Sequence, residues 1–84
     1  MEWIYLKKGD IYFFARILKT GVFEVCEIRI NSVTDEYFTG VDKKDGRTYL
    51  FDYPDLNTVV FKEREDALNL VKMEEDKYDY SENL

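Results

Sequence analysis

Residues 22–33 read VFEVCEIRINSV, and they sort at a period of two: Cys26, Ile28 and Ile30 fall on one side, Glu27 and Arg29 on the other. Successive side chains of an extended chain point to opposite faces, so the alternation predicts a strand with one buried and one wet face. Twelve residues are long for one strand, and this length predicts a bend within it.

Working toward the N-terminus, Lys19-Thr20-Gly21 is a turn. Before it, Ile11 to Leu18 (IYFFARIL) places Ile11, Phe13, Ala15 and Ile17 on one face and Tyr12, Phe14, Arg16 and Leu18 on the other. Both faces are largely apolar, which predicts a strand deep in the fold or beside a helix. Lys8-Gly9-Asp10 is a further turn, and Glu2 to Leu6 is read as a short edge strand or an ordered arm.

Toward the C-terminus, Thr34-Asp35-Glu36 closes the long strand and Tyr37 to Val41 forms the next. Asp42 to Arg47 is a charged hairpin loop in which Gly46 is the positive-φ residue. Thr48 to Phe51 returns, Tyr53-Pro54-Asp55 turns the chain, and Thr58 to Phe61 (TVVF) is a last short strand. From Glu63 the period changes. EREDALNLVKM brings Ala67, Leu68 and Val71 to one helical side, with Leu70 at its margin. Glu63, Glu65 and Asp66 suit the first turns, where exposed amides favour carboxylates. The expected architecture is mainly β: a small SH3-like five-stranded barrel with one C-terminal helix, an open α+β sheet being the alternative. Residues 1–73 form one compact domain, and 74–84 are read as an acidic tail.

The order KKGDIYFF, a five-strand body, then VVFKEREDALNLV resembles small, poorly characterised proteins of Firmicutes and their phages. The matching positions are Lys8, Gly9, Asp10 and Tyr12, then Val60, Phe61, Glu63, Glu65, Ala67 and Leu68. The resemblance spans about residues 7–71, and Lys62 stands where a Ser or Thr usually opens the helix. It implies an SH3-like body and a phage or mobile-element origin, and it supplies no catalytic residues. Small acidic phage proteins of this kind resemble inhibitors of host defence, anti-CRISPR proteins among them.

The 84 residues carry a net charge of −6, no histidine and one cysteine. Missing histidine removes the usual base of a nucleophilic triad, and Cys26 alternates with core positions as a packed thiol. The carboxylate pairs Asp42 with Asp45, Glu24 with Glu27 and Asp52 with Asp55 fit turns and wet strand faces better than acid–base chemistry. Asp42 to Asp45 lacks the ligand count of a calcium loop, and the scattered glycines form no phosphate cradle. No enzyme activity, cofactor or metal is expected. Net acidity disfavours nucleic acid and anionic membrane, although Lys7, Lys8, Arg16 and Arg47 offer a local basic patch. The opening MEWIYLKKGD lacks a basic region followed by an apolar run, which predicts a cytoplasmic protein without signal peptide.

What remains is a noncatalytic protein-interaction module. Its partner would be a protein, with a host nucleic-acid-processing enzyme as the sharper form. The expected charged surface is Asp42, Asp45, Glu63, Glu65, Asp66, Glu74, Glu75 and Asp76. The expected aromatic anchors are Tyr37, Tyr49, Tyr53, Tyr78 and Tyr80. The alternative is a structural homo-oligomer or phage assembly component, joined through an edge strand near Glu2 to Leu6 with Trp3 in the interface.

Overall fold

The computed structural model describes the backbone of residues 6–82 and the side chains of residues 6–79. The elements in chain order are β1 (Ile11–Leu18), β2 (Val22–Val33), β3 (Tyr37–Asp42), β4 (Thr48–Asp52), a 3-10 turn at Tyr53–Asp55, β5 (Val60–Phe61) and α1 (Arg64–Glu82). All strands pair antiparallel in one sheet of order β4-β3-β2-β1-β5. The turns are made as their residues dictate. Gly9, Gly21 and Gly46 all adopt positive φ, and the Thr34 hydroxyl ties its own turn together by accepting the Glu36 and Tyr37 amides. The long β2 carries a register shift between Ile30 and Ser32, which supplies the expected bend.

Pairing register assigns the two faces. On the inner face Phe14 lies across from Cys26, Tyr12 from Ile28, Ile30 from Gly40 and Phe38 from Phe51. These residues, with Leu6 and Val60, build the main core. On the outer face Phe13, Ala15 and Ile17 of β1 and Phe23 and Val25 of β2 pack under Ala67, Leu70 and Val71 of α1. β1 is apolar on both faces because both are covered. Over β3 and β4 the outer face has no helix among the described residues, and Thr39, Ser32 and Thr48 stand there beside Val41 and the exposed Leu50.

Four expectations need correction. The sheet is open rather than closed into a barrel. β4 and β5 end it at opposite edges, and β5 pairs through only two residues, Phe13–Phe61 and Phe14–Val60. Residues 58–59, expected in that strand, sit in the preceding turn: Thr58 and Val59 donate their amides to the Asp55 carbonyl. Residues 74–82, expected as part of an acidic tail, continue α1. The helix persists because Glu74 and Tyr78 extend the inward row of Ala67, Leu70 and Val71, and the Tyr78 ring meets Phe23 edge-on at 5.2 Å. Leu68 points outward, and Leu70 takes the inward place; one step along a helix turns a side chain about 100° away from Ala67. The proposed strand or arm at Glu2 to Leu6 falls, apart from Leu6, outside the described residues. Leu6 itself is buried in the main core and lies outside any strand.

Candidate protein interface

α1 is held to the sheet along one row, and this decides which of its charges face water. Ala67, Leu70 and Val71 face inward, while Glu65, Asp66, Glu75, Asp76 and Asp79 are exposed. Over residues 64–79 the acids are Glu65, Asp66, Glu74, Glu75, Asp76 and Asp79, six in all, against Arg64, Lys72 and Lys77, a net −3. A rise of about 1.5 Å per residue separates Glu65 from Glu75 by about 15 Å, so the negative charge runs along a rod. Leu68 (39% exposed) and Met73 (49% exposed) stand among these carboxylates as apolar contacts. Sequence reasoning missed Asp79 and Met73 as surface features; the signal was the helical period continuing past residue 73. Glu63 is exposed just before the helix begins, and Glu74 is half-buried beside Lys77 at 3.4 Å.

The hairpin-loop acids behave differently. Asp45 is exposed and accepts the Arg47 amide at 2.9 Å. Asp42 is 7% exposed; its carboxylate accepts the Lys44 amide at 2.7 Å and lies beside the Cys26 thiol. Asp42 therefore leaves the expected charged surface: it shapes its loop from inside. This loop, residues 24–27 of β2 and Arg64 enclose a groove of about 570 Å³. Glu27 crosses it to meet Lys43 at 2.9 Å and Arg64 at 3.5 Å. The hydrogen bond from Lys43, reinforced by both positive charges, holds the Glu27 carboxyl below its usual range. Nearby, Arg16 and Glu24 pair at 2.9 Å.

Cys26 belongs to the core, 7% exposed, with its sulfur 3.8 Å from a Glu24 carboxylate oxygen. Burial pushes the thiol up to about 12, and the Asp42 and Glu24 carboxylates push the same way. A thiol held protonated is a weak nucleophile at neutral pH. Among the described residues no group of three or more His, Cys, Asp or Glu side chains is placed to hold a metal ion. Among them, too, no helix is long and apolar enough to cross a membrane.

The tyrosines do not assemble into one surface. Tyr37 is exposed at the start of β3. Tyr49 is half-buried on the inner face, its ring 5.2 Å from Phe14. Tyr53 lies against Phe38 and its hydroxyl donates to the Thr34 carbonyl, which makes it a structural strut between two loops. Tyr78 is half-buried between Phe23 and the Gly21 turn, lining an apolar slot of about 440 Å³ with Ile17 and Leu18. The side chain of Tyr80 lies outside the described residues. Of the expected anchors, Tyr37 and the rim of Tyr78 are placed to meet a partner. No protein-family model, curated protein or solved structure matches the chain.

Proposed function

We propose that this chain is a noncatalytic protein-binding module that docks the acidic outer side of α1 on a basic protein surface. The observation that carries the reading is the one-sided anchoring of α1, which leaves Glu65, Asp66, Glu75, Asp76 and Asp79 exposed along a single rigid element. A rigid rod of carboxylates steers a basic partner at long range, and Leu68 and Met73 supply desolvated contacts once docked. Glu63 and Asp45 extend the charge at the N-terminal end.

Within this proposal the partner is a host defence or nucleic-acid-processing enzyme. Such an enzyme presents a basic channel to phosphates, and spaced carboxylates imitate a nucleic-acid backbone. An anti-CRISPR-like role, a phage origin, an SH3-like ancestry for the curled five-stranded sheet, and a cytoplasmic location belong to the same proposal. They rest on charge, size and the resemblance carried by KKGDIYFF and VVFKEREDALNLV.

The test is capture from a Firmicutes lysate by the wild-type protein and by the E75K/D76K variant, side by side at low and moderate salt. A saturable partner lost from the variant at low salt, with the difference narrowing as salt rises, is the expected result. Equal binding by both proteins at both salts would sink the helix-based reading.

A further inference from the structure

We infer that β4 is a self-pairing edge, through which a second copy of this chain adds to the sheet about a twofold axis at Leu50. The inference is independent of the helix surface: α1 packs on β1, β2 and β5, and β4 is the other edge of the sheet.

The two edges of the sheet differ. At one edge β5 offers two residues. At the other β4 offers five, TYLFD, which among the described residues pair on one side only, with β3. Folded proteins usually protect such an edge with a bulge, a lysine, a proline or a covering loop. β2 shows this protection where it runs beyond the end of β3: Glu24 and Glu27 flank the stretch and the Asp42–Asp45 loop stands over it. β4 has no bulge in its register and no lysine or proline within it. Its central residue, Leu50, is 64% exposed, more than any other large apolar side chain among the described residues.

The backbone pattern matches. Asp42 donates its amide to the Arg47 carbonyl, so alternation along the hairpin turns the N–H and C=O groups of Tyr49 and Phe51 toward β3. The corresponding groups of Thr48, Leu50 and Asp52 then face outward. The Asp52 amide is capped by the Asp55 carboxylate at 3.1 Å, which ends the free stretch. Among the described residues no strand meets those of Thr48 and Leu50, which face outward.

TYLFD is also self-complementary about its centre. An antiparallel copy centred on Leu50 sets Leu50 against Leu50, Tyr49 against Phe51 and Thr48 against Asp52 of the second chain. The Leu50 and Thr48–Asp52 pairings are favourable across a strand, apolar on apolar and hydroxyl on carboxylate, while the Phe51 ring stays in its own core. In this register Leu50 exchanges two backbone bonds with its own copy, and each Thr48 amide meets an Asp52 carbonyl. The two Asp52 carboxylates stay apart by four residues of strand, about 14 Å. A shift of one residue would set Leu50 against a residue of the opposite face and lose the match.

The test is sedimentation equilibrium of the wild type, L50K and L50D from about 10 µM to about 1 mM, the range suited to an interface below about 1,200 Å². Leu50 is exposed, so neither variant disturbs the core, and circular dichroism checks the fold. The expected result is a wild-type mass that rises toward a dimer with concentration and rises further with salt, since the copies share a charge of −6. L50K and L50D alone should stay monomeric, because each sets like charges against each other on the axis, and mixing the two should restore a heterodimer. A wild-type mass that stays monomeric across the range overturns the inference. So does a dimer that L50K leaves intact, because it would be built on another surface.

Discussion

The rings of Phe14 on β1 and Phe51 on β4 meet edge-on with centroids 4.9 Å apart. Three strand steps separate these strands in the sheet order, which in a flat sheet is about 14 Å. The contact therefore requires the sheet to curl around its inner face, and Phe51 also stacks on Phe38 at 5.2 Å. Truncating Phe51 to alanine should cost about 3–5 kcal/mol in urea unfolding, as for other buried rings. A double-mutant cycle with Phe14→Ala should show a coupling of about 0.5–1.5 kcal/mol. Strict additivity would mean that the curl is held elsewhere.

Gly40 is needed for a different reason. A Cβ at this position would lie 2.7 Å from Ile28 Cδ1, and Ile28 is fully buried. Gly40→Ala should destabilise the fold by about 1–3 kcal/mol through overpacking. Ile28→Val removes the clashing methyl, so adding it should recover part of the Gly40→Ala loss. Thermal melts of the two single variants and the double variant measure this.

Cys26 makes stability fall on the alkaline side. Its folded pKa, about 12, lies above the ordinary 9, so the unfolded chain releases the thiol proton first. The contribution is complete below about pH 9 and is lost as pH rises toward about 12. Urea midpoints measured from pH 8 to 10.5 should decline more steeply for the wild type than for Cys26→Ala. Iodoacetamide should label the folded thiol far more slowly than a free cysteine at pH 8.

Glu27 acts on the acid side with the opposite sign. The hydrogen bond from Lys43 first, then the charge of Arg64, hold its carboxyl below the usual carboxylate range. The stabilisation is present above the unfolded pKa and disappears as pH falls through the lower folded value. Lys43→Ala should flatten this acid limb and make it less sensitive to salt. Because Glu27 is accessible, water and salt screen the pair, and the effect at neutral pH should be small. An unchanged acid limb would mean that the Lys43 contact is not populated in solution.

Leu68 and Met73 should separate binding from folding. Both are exposed on α1, so Leu68→Ala and Met73→Ala should leave the unfolding free energy within the range of ordinary surface changes, about ±0.5 kcal/mol. Each should weaken capture of the partner in proportion to its place in the contact. Loss of stability without loss of capture would assign these residues to folding.

The period of two through VFEVCEIRINSV and IYFFARIL, and the glycines at 9, 21 and 46, were enough to place four strands and their turns. These are local properties: a pleat sorts neighbours by face, and a left-handed turn selects the residue without a Cβ. Charge was equally legible, because composition does not depend on the fold. Whether the sheet closes was not legible, since closure depends on whether the edge strands β4 and β5 pair with each other, and β5 pairs with the distant β1 at the far edge instead. The exposure of Asp42 was not legible either. A carboxylate at the start of a charged loop reads as solvated, but Asp42 ends β3 at an inner-face position opposite Ile28 and beside Cys26. The last turns of α1 were hidden by their acidity, although Glu74 and Tyr78 keep the inward spacing, and the contact of Tyr78 with Phe23 exists only once the β1–β2 hairpin is in place. Local geometry follows from the order of residues. Burial and the accessible side of a charge follow from which distant segments come to cover them.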